Sequence, residues 1–194
     1  VSRLATPGVL SQPAPGGGVT TTIQVEFRDA SVTPPPEWNQ FAQSVVGELT
    51  PDLLDDAGNA TGISLTQITS IVAATAADET ADPPLHGWPE QVWARWIADN
   101  PGTSTAYYEL AGITAGADVT VYLAGHRDGT GRDSEYKIPE FSTPNTATYV
   151  QTNSPPAAPV SIAGVVPADG IITIECLNLG SWWYLNGFVI EITP

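Results

Sequence analysis

The residues best suited to chemistry fall in three stretches. The loop GHRDGTGRDSEYK at 125–137 gathers His126, Arg127, Asp128, Arg132, Asp133, Glu135 and Lys137, and holds three of the six basic residues of the chain. Guanidinium and carboxylate groups hydrogen-bond vicinal hydroxyls in fixed geometry, so His126, Arg127, Asp128 and Arg132 are candidate sugar contacts. The same charges also suit a hairpin whose strands pair them and whose tip they solvate, and the pattern fits that structural role better. Between Asp128 and Asp133 the oxygen ligands lack the recurrent spacing of an EF-hand. His86 and His126 have no third ligand at a zinc-like spacing. No metal and no cofactor is therefore expected.

The other two stretches are aromatic. WPEQVWARWI at 88–97 and SWWYLNGFVIEI at 181–192 carry five of the six tryptophans. Indole faces stack on the apolar faces of sugar rings, and they equally fill cores. Trp88 and Trp96 are candidate ligand-facing rings, whereas Trp38 is expected in the core. Strand alternation through the closing stretch puts Trp182, Tyr184, Asn186, Phe188, Ile190 and Ile192 on one face, which is apolar enough to be the inner one. Trp183, Leu185, Gly187, Val189 and Glu191 share the other. On that reading Trp183 is a ligand-facing ring, with Trp182 as its neighbour.

Catalytic signatures are missing. GxSxG, HExxH and the P-loop do not occur. Carboxylates are so plentiful that a glycosidase pair would have no distinguishing mark. Cys176, the only cysteine, excludes an internal disulfide and sits in the strand-like run IITIECLNL, where a small buried role is expected. The sequence is that of a protein that is not an enzyme.

Charge narrows the partners. Six basic residues against twenty-one acidic ones give a net charge of −15. Such a surface repels phosphate, which disfavours nucleic acid and anionic membranes alike. No apolar run approaches the length needed for membrane insertion. The sequence opens at Val1 without the charged and apolar pattern of a signal peptide.

These residues must be positioned by strands. Val1–Thr22, with Pro7, Pro13, Pro15 and the run Gly16–Gly18, predicts an extended arm that gains order only by lying on another chain, as a homo-oligomer or in a capsid-like assembly. Residues 23–194 predict one domain. Short alternating runs occur at 22–27, 62–72, 106–113, 118–127, 134–138, 147–152, 159–166 and 171–179, and the closing stretch completes the set. DGTG at 128–131 reads as a hairpin connection and PADG at 167–170 as a tight turn. Glu37–Leu49 has Trp38, Phe41 and Val45 at helical spacing and suggests a short helical turn. Ala73–Leu85 reads as a loop. Strands at this spacing, with almost no helix, predict an all-β fold: an antiparallel β-sandwich or jelly roll with an extended N-terminal arm.

TGISLTQI at 61–68, WPEQVWARWI at 88–97, ELAGITAGADVTVYLAGHRDGTGRDSEYKI at 109–138, GVVPADGIITIEC and the closing YLNGFVIEI together resemble a β-sandwich module of secreted bacterial proteins. That module is of the malectin-like or galactose-binding class, many of whose members bind carbohydrate without catalysis. Where the module commonly has an acidic residue before the second aromatic of its middle element, this chain has Arg95. The resemblance implies a jelly-roll fold and, for function, a non-catalytic binding or adhesion module for carbohydrate, such as a cell-surface glycan. It would be displayed at an extracellular, cell or virion surface. The arm favours an alternative, a structural virion protein such as a capsid decoration, head spike or fibre. A second alternative is an ancillary module of a secreted polysaccharide-degrading enzyme.

Overall fold

The computed structural model describes residues 18–28, 34–42, 46–47, 49–69, 86–93, 97–99, 105–126, 133–150, 156–179 and 182–194. Residues 1–17, the bulk of the predicted arm, lie outside that set, as do the expected loop at 73–85 and the DGTG turn. The first half forms β1 (Thr21–Arg28), β2 (Asn39–Ala42), β3 (Leu49–Thr50), β4 (Ser64–Gln67), α1 (Glu90–Trp93) and β5 (Ile97–Asp99). There follow β6 (Ala106–Ala111), β7 (Asp118–Ala124), β8 (Ser134–Lys137) and β9 (Thr146–Tyr149). The chain closes with β10 (Val160–Val165), β11 (Ile171–Asn178), β12 (Trp183–Leu185) and β13 (Gly187–Thr193). Among the described residues, no helix is long and apolar enough to cross a membrane.

Two sheets make an all-β sandwich, as the strand spacing predicts. One has five strands in the order β10-β7-β13-β1-β2, the other six in the order β3-β4-β6-β11-β8-β9, and β12 with β5 forms a small ribbon. The β1–β2 pair is parallel and the other named pairs are antiparallel. Alternation supplies the core. Ile23, Val25 and Phe27 of β1, Ala106, Tyr108 and Leu110 of β6, Ile172, Ile174 and Cys176 of β11, and Phe188, Ile190 and Ile192 of β13 all face inward and are buried. Phe27 touches rings from three other strands, with centroids 5.5 Å from Phe41, 5.1 Å from Tyr108 and 6.0 Å from Phe188. Each such buried side chain contributes about 1.5–3 kcal/mol.

Four expectations are corrected here. The strands flanking DGTG are not a hairpin: β7 lies in the five-stranded sheet and β8 in the six-stranded one. Both edges of β7 are occupied by β10 and β13, and both edges of β8 by β11 and β9, so neither has a free edge for the other. Lys137 accordingly pairs with Glu175 of β11, 3.7 Å away, not with a charge of β7. PADG does turn, with Gly170 N–H donating to the Pro167 carbonyl at 3.0 Å, and it too carries the chain between sheets.

The expected helical turn at 37–49 is replaced by β2 and β3. Trp38 and Phe41 are three residues apart, which in extended chain sends them to opposite faces. Phe41 joins Phe27 between the sheets, while Trp38 is buried as expected but against Trp88, edge-on with 5.4 Å between centroids. The strand also starts earlier than the arm boundary at Thr22 implies: Thr21 pairs with Ile192 and Thr22 with Glu191.

The fourth concerns the closing stretch. Trp183 is not ligand-facing: it is fully buried, with Leu185, in the main core. The one-strand reading fails because the stretch is two strands in two sheets. Asn186 stands between them, its N–H donating to the Ala124 carbonyl and its carbonyl accepting from Phe27 N–H. That inserted residue shifts the pleat, so Trp183 and Leu185 face the same core as Phe188, Ile190 and Ile192. Tyr184 instead packs with Ala98, and half-buried Trp182 lies against that pair.

Candidate functional site

The outer face of the five-stranded sheet carries a cleft of about 520 Å³. Strand register builds its floor. Val189 of β13 lies between Gln24 of β1 and Tyr122 of β7, and Glu191 stands one pleat further on, opposite Thr22. The Tyr122 hydroxyl donates to Glu191 Oε2 at 3.1 Å. That carboxylate raises the Tyr122 pKa above its ordinary value, with burial adding to the effect.

Trp38 and Trp88 form one side and Ala158 with Pro159 lines another. The wall owes its place to a turn at His86 and Gly87, which both have positive φ, 54° and 79°. Glycine accepts that conformation without strain and histidine is among the side chains that tolerate it. The turn delivers Trp88 onto Trp93, stacked at 5.3 Å with 28° between planes. Behind the wall, α1 lies directly on the sheet at Gly187. A Cβ there would stand 2.5 Å from the Val25 carbonyl, 3.2 Å from Trp38 and 3.3 Å from Val92. His86 Nε2 lies 3.2 Å from the Pro156 carbonyl oxygen, tying the turn to the segment that leads into Ala158 and Pro159. A carbonyl only accepts, so Nε2 is the donor in this contact.

Two polar atoms define what the cleft wants. Gln24 Oε1 is buried and has no hydrogen-bond partner. Leaving such an acceptor unmet costs about 1–3 kcal/mol, which a ligand donor would offset. Glu191 is held by Tyr122 through Oε2, and Oε1 keeps its capacity to accept.

The structure distributes the sequence-derived candidates unevenly. Trp88 lines the cleft. His126 is buried, with its ring 6.5 Å from Trp93 and its backbone N–H bonded to Asn186 Oδ1, so it supports the aromatic element and does not line the cleft. Trp183 and Trp182 are placed in the core and against the ribbon, as described above. Trp96, Arg127, Asp128 and Arg132 lie outside the described residues. Gln24, Tyr122, His86 and Glu191 were not singled out by sequence reasoning; Trp38 is buried in the core as expected, and the little of it that is exposed borders the cleft. A signal was available in β1 and β13: Thr22, Gln24 and Glu26 are polar at every second position, and Glu191 is the single charge in an apolar run. Among the described residues no cluster of His, Cys, Asp or Glu is placed to hold a metal ion.

No protein-family model matches this sequence, and no curated protein matches it. Among solved structures, the chain is similar to the enzymatically active domain of tailspike protein 4 of bacteriophage CBA120, at 9% identity and a TM-score of 0.34. That match covers 66% of this chain and 19% of the tailspike chain, so it spans about a fifth of that protein. A second similarity is to a family 4 carbohydrate-binding module, CBM4, at 14% identity and a TM-score of 0.26, covering 76% of this chain and 77% of that one. What bears on function is the geometry of the cleft itself.

Proposed function

We propose that this chain is a non-catalytic, surface-displayed binding module whose ligand is a carbohydrate. The observation that carries this is the cleft on the outer sheet face, where the exposed remainder of two largely buried indoles stands beside an amide, a phenol and a carboxylate. A sugar ring needs both: indole for its apolar C–H face, and planar acceptors and donors for its hydroxyls. The volume of about 520 Å³ suits a short saccharide. Binding without reaction is favoured because glycoside hydrolysis uses a pair of carboxyl groups, and the described lining contributes one, Glu191. Titration of a broad glycan panel against the wild type and Trp88→Ala tests the proposal. Binding to at least one glycan, weakened about tenfold or more in the variant, is expected. A panel with no binder sinks it.

A second reading accompanies the first, because the Pro- and Gly-rich sequence ahead of β1, Val1–Gly17, has little of its own to bury. In it the arm anchors the module to another chain, as in a virion decoration, spike or fibre protein. Limited proteolysis of the isolated protein checks this: the arm should be cut quickly and the β-sandwich spared. An arm protected in a monomer would end the anchoring argument.

A further inference from the structure

Resting on that carbohydrate reading, we infer that the cleft selects an amine-bearing saccharide, with a protonated amino group seated between Glu191 and the indole wall, and rejects uronic-acid glycans. The inference follows from what the cleft offers. Its fixed charge among the described lining is negative, at Glu191. Its buried unpartnered atom, Gln24 Oε1, is an acceptor.

Candidate ligand groups rank accordingly. An ammonium carries three donors and no acceptor, a hydroxyl carries both, and a carboxylate only accepts. The ammonium matches Glu191 and Gln24; the carboxylate meets like charge and an unmet acceptor. Aromatic faces add to the same preference, because the electron-rich faces of Trp and Tyr attract cations. Tyr122 borders the space, together with the small exposed parts of Trp38 and Trp88. The net charge of −15 acts in the same direction at longer range, steering cations in and anionic glycans away.

Calorimetric titration of the full chain with short β-1,4-linked glucosamine oligomers, their N-acetylated counterparts and oligogalacturonate tests this. The titrations run at about pH 6, where sugar amines are protonated and free carboxylates are ionised. The glucosamine oligomer is expected to bind about tenfold more tightly than its acetylated form, with oligogalacturonate weakest. Added salt should narrow the gap. Glu191→Gln should erase the preference, and Gln24→Glu should widen it, so the direction can be read even if one variant folds poorly. Glu109→Gln removes a charge from the outer face of the other sheet and should leave the preference intact. Acetylated or neutral oligomers binding as tightly as the amine form would overturn this inference and leave the carbohydrate reading standing. A chain that binds none of the three, nor any glycan of a broad panel, would overturn both.

Discussion

The side-chain amide of Asn186 donates to the Trp93 carbonyl oxygen at 3.1 Å. The residue that separates β12 from β13 therefore also fastens the aromatic element to the sandwich. Its Oδ1 accepts from His126 N–H, and its own backbone is bonded to Ala124 and Phe27. One fully buried asparagine thus joins the last strand, the end of β7 and the end of α1. The cleft wall is built on that joint, since Trp93 carries Trp88.

Asn186→Ala should be costly for this reason. It removes the side-chain hydrogen bonds to Trp93 and His126, and a buried polar group that loses its partner costs about 1–3 kcal/mol. A loss of about 2–4 kcal/mol is expected in urea unfolding, together with a changed tryptophan near-UV signal. A midpoint within error of wild type would show that the joint contributes nothing.

Gly187→Ala probes the contact between α1 and the sheet. The added methyl would meet the Val25 carbonyl at 2.5 Å, and backbone cannot step aside as a flexible side chain can. Overpacking of this kind costs about 1–3 kcal/mol. Because Trp38 is also within 3.2 Å of the new methyl, the wall should shift and ligand affinity should fall with stability. Thermal melts and titration of the same variant check both.

Much of the sandwich was legible in the sequence because alternation marks a strand wherever one face is buried. The run at 22–27 was read as a strand, and Phe188, Ile190 and Ile192 were read correctly as inward. What alternation cannot carry is phase across a break, and Asn186 supplies such a break, so Trp183 came out on the wrong face. Pairing was equally hidden. A turn between two strands predicts a hairpin by default, yet β7 and β8 each find both partners elsewhere in the chain. The cleft was half legible: Trp88 could be named, whereas Gln24, Tyr122 and Glu191 are distant in sequence and meet only through the registers of β1, β13 and β7.

High pH should unfold the protein through its buried hydroxyls and thiol. Burial raises the pKa of Tyr136 well above 10.0 and also raises that of Tyr149. It likewise raises the Cys176 thiol above 9.0. The folded state keeps protons that the unfolded chain releases, so this stability is complete below about pH 9 and falls as pH climbs through 9 to 10 and beyond. Each group contributes a slope of up to about 1.4 kcal/mol per pH unit once the unfolded chain has lost its proton. Comparing urea midpoints at about pH 8 and pH 11 should reveal the loss, and Tyr149→Phe should flatten it. An unchanged slope in that variant would remove Tyr149 from the account.

Trp183 and Trp88 are both buried, so both variants should cost stability, and only Trp88 should also cost affinity per folded molecule. Trp183 has no exposed surface, and its indole Nε1 has no hydrogen-bond partner. Trp183→Ala opens a large hole in the main core and should cost about 3–5 kcal/mol. Trp183→Phe should cost less, because it fills part of that volume and removes the unmet N–H. In either variant, the fraction that remains folded should bind the ligand as wild type does, since Trp183 does not border the cleft. Trp88→Ala should reduce affinity even when correction is made for any unfolded fraction, because it deletes a wall of the cleft. Titration alongside circular dichroism reads both effects in one sample. Equal losses of affinity per folded molecule in the two positions would mean that the indole wall is not where the ligand sits.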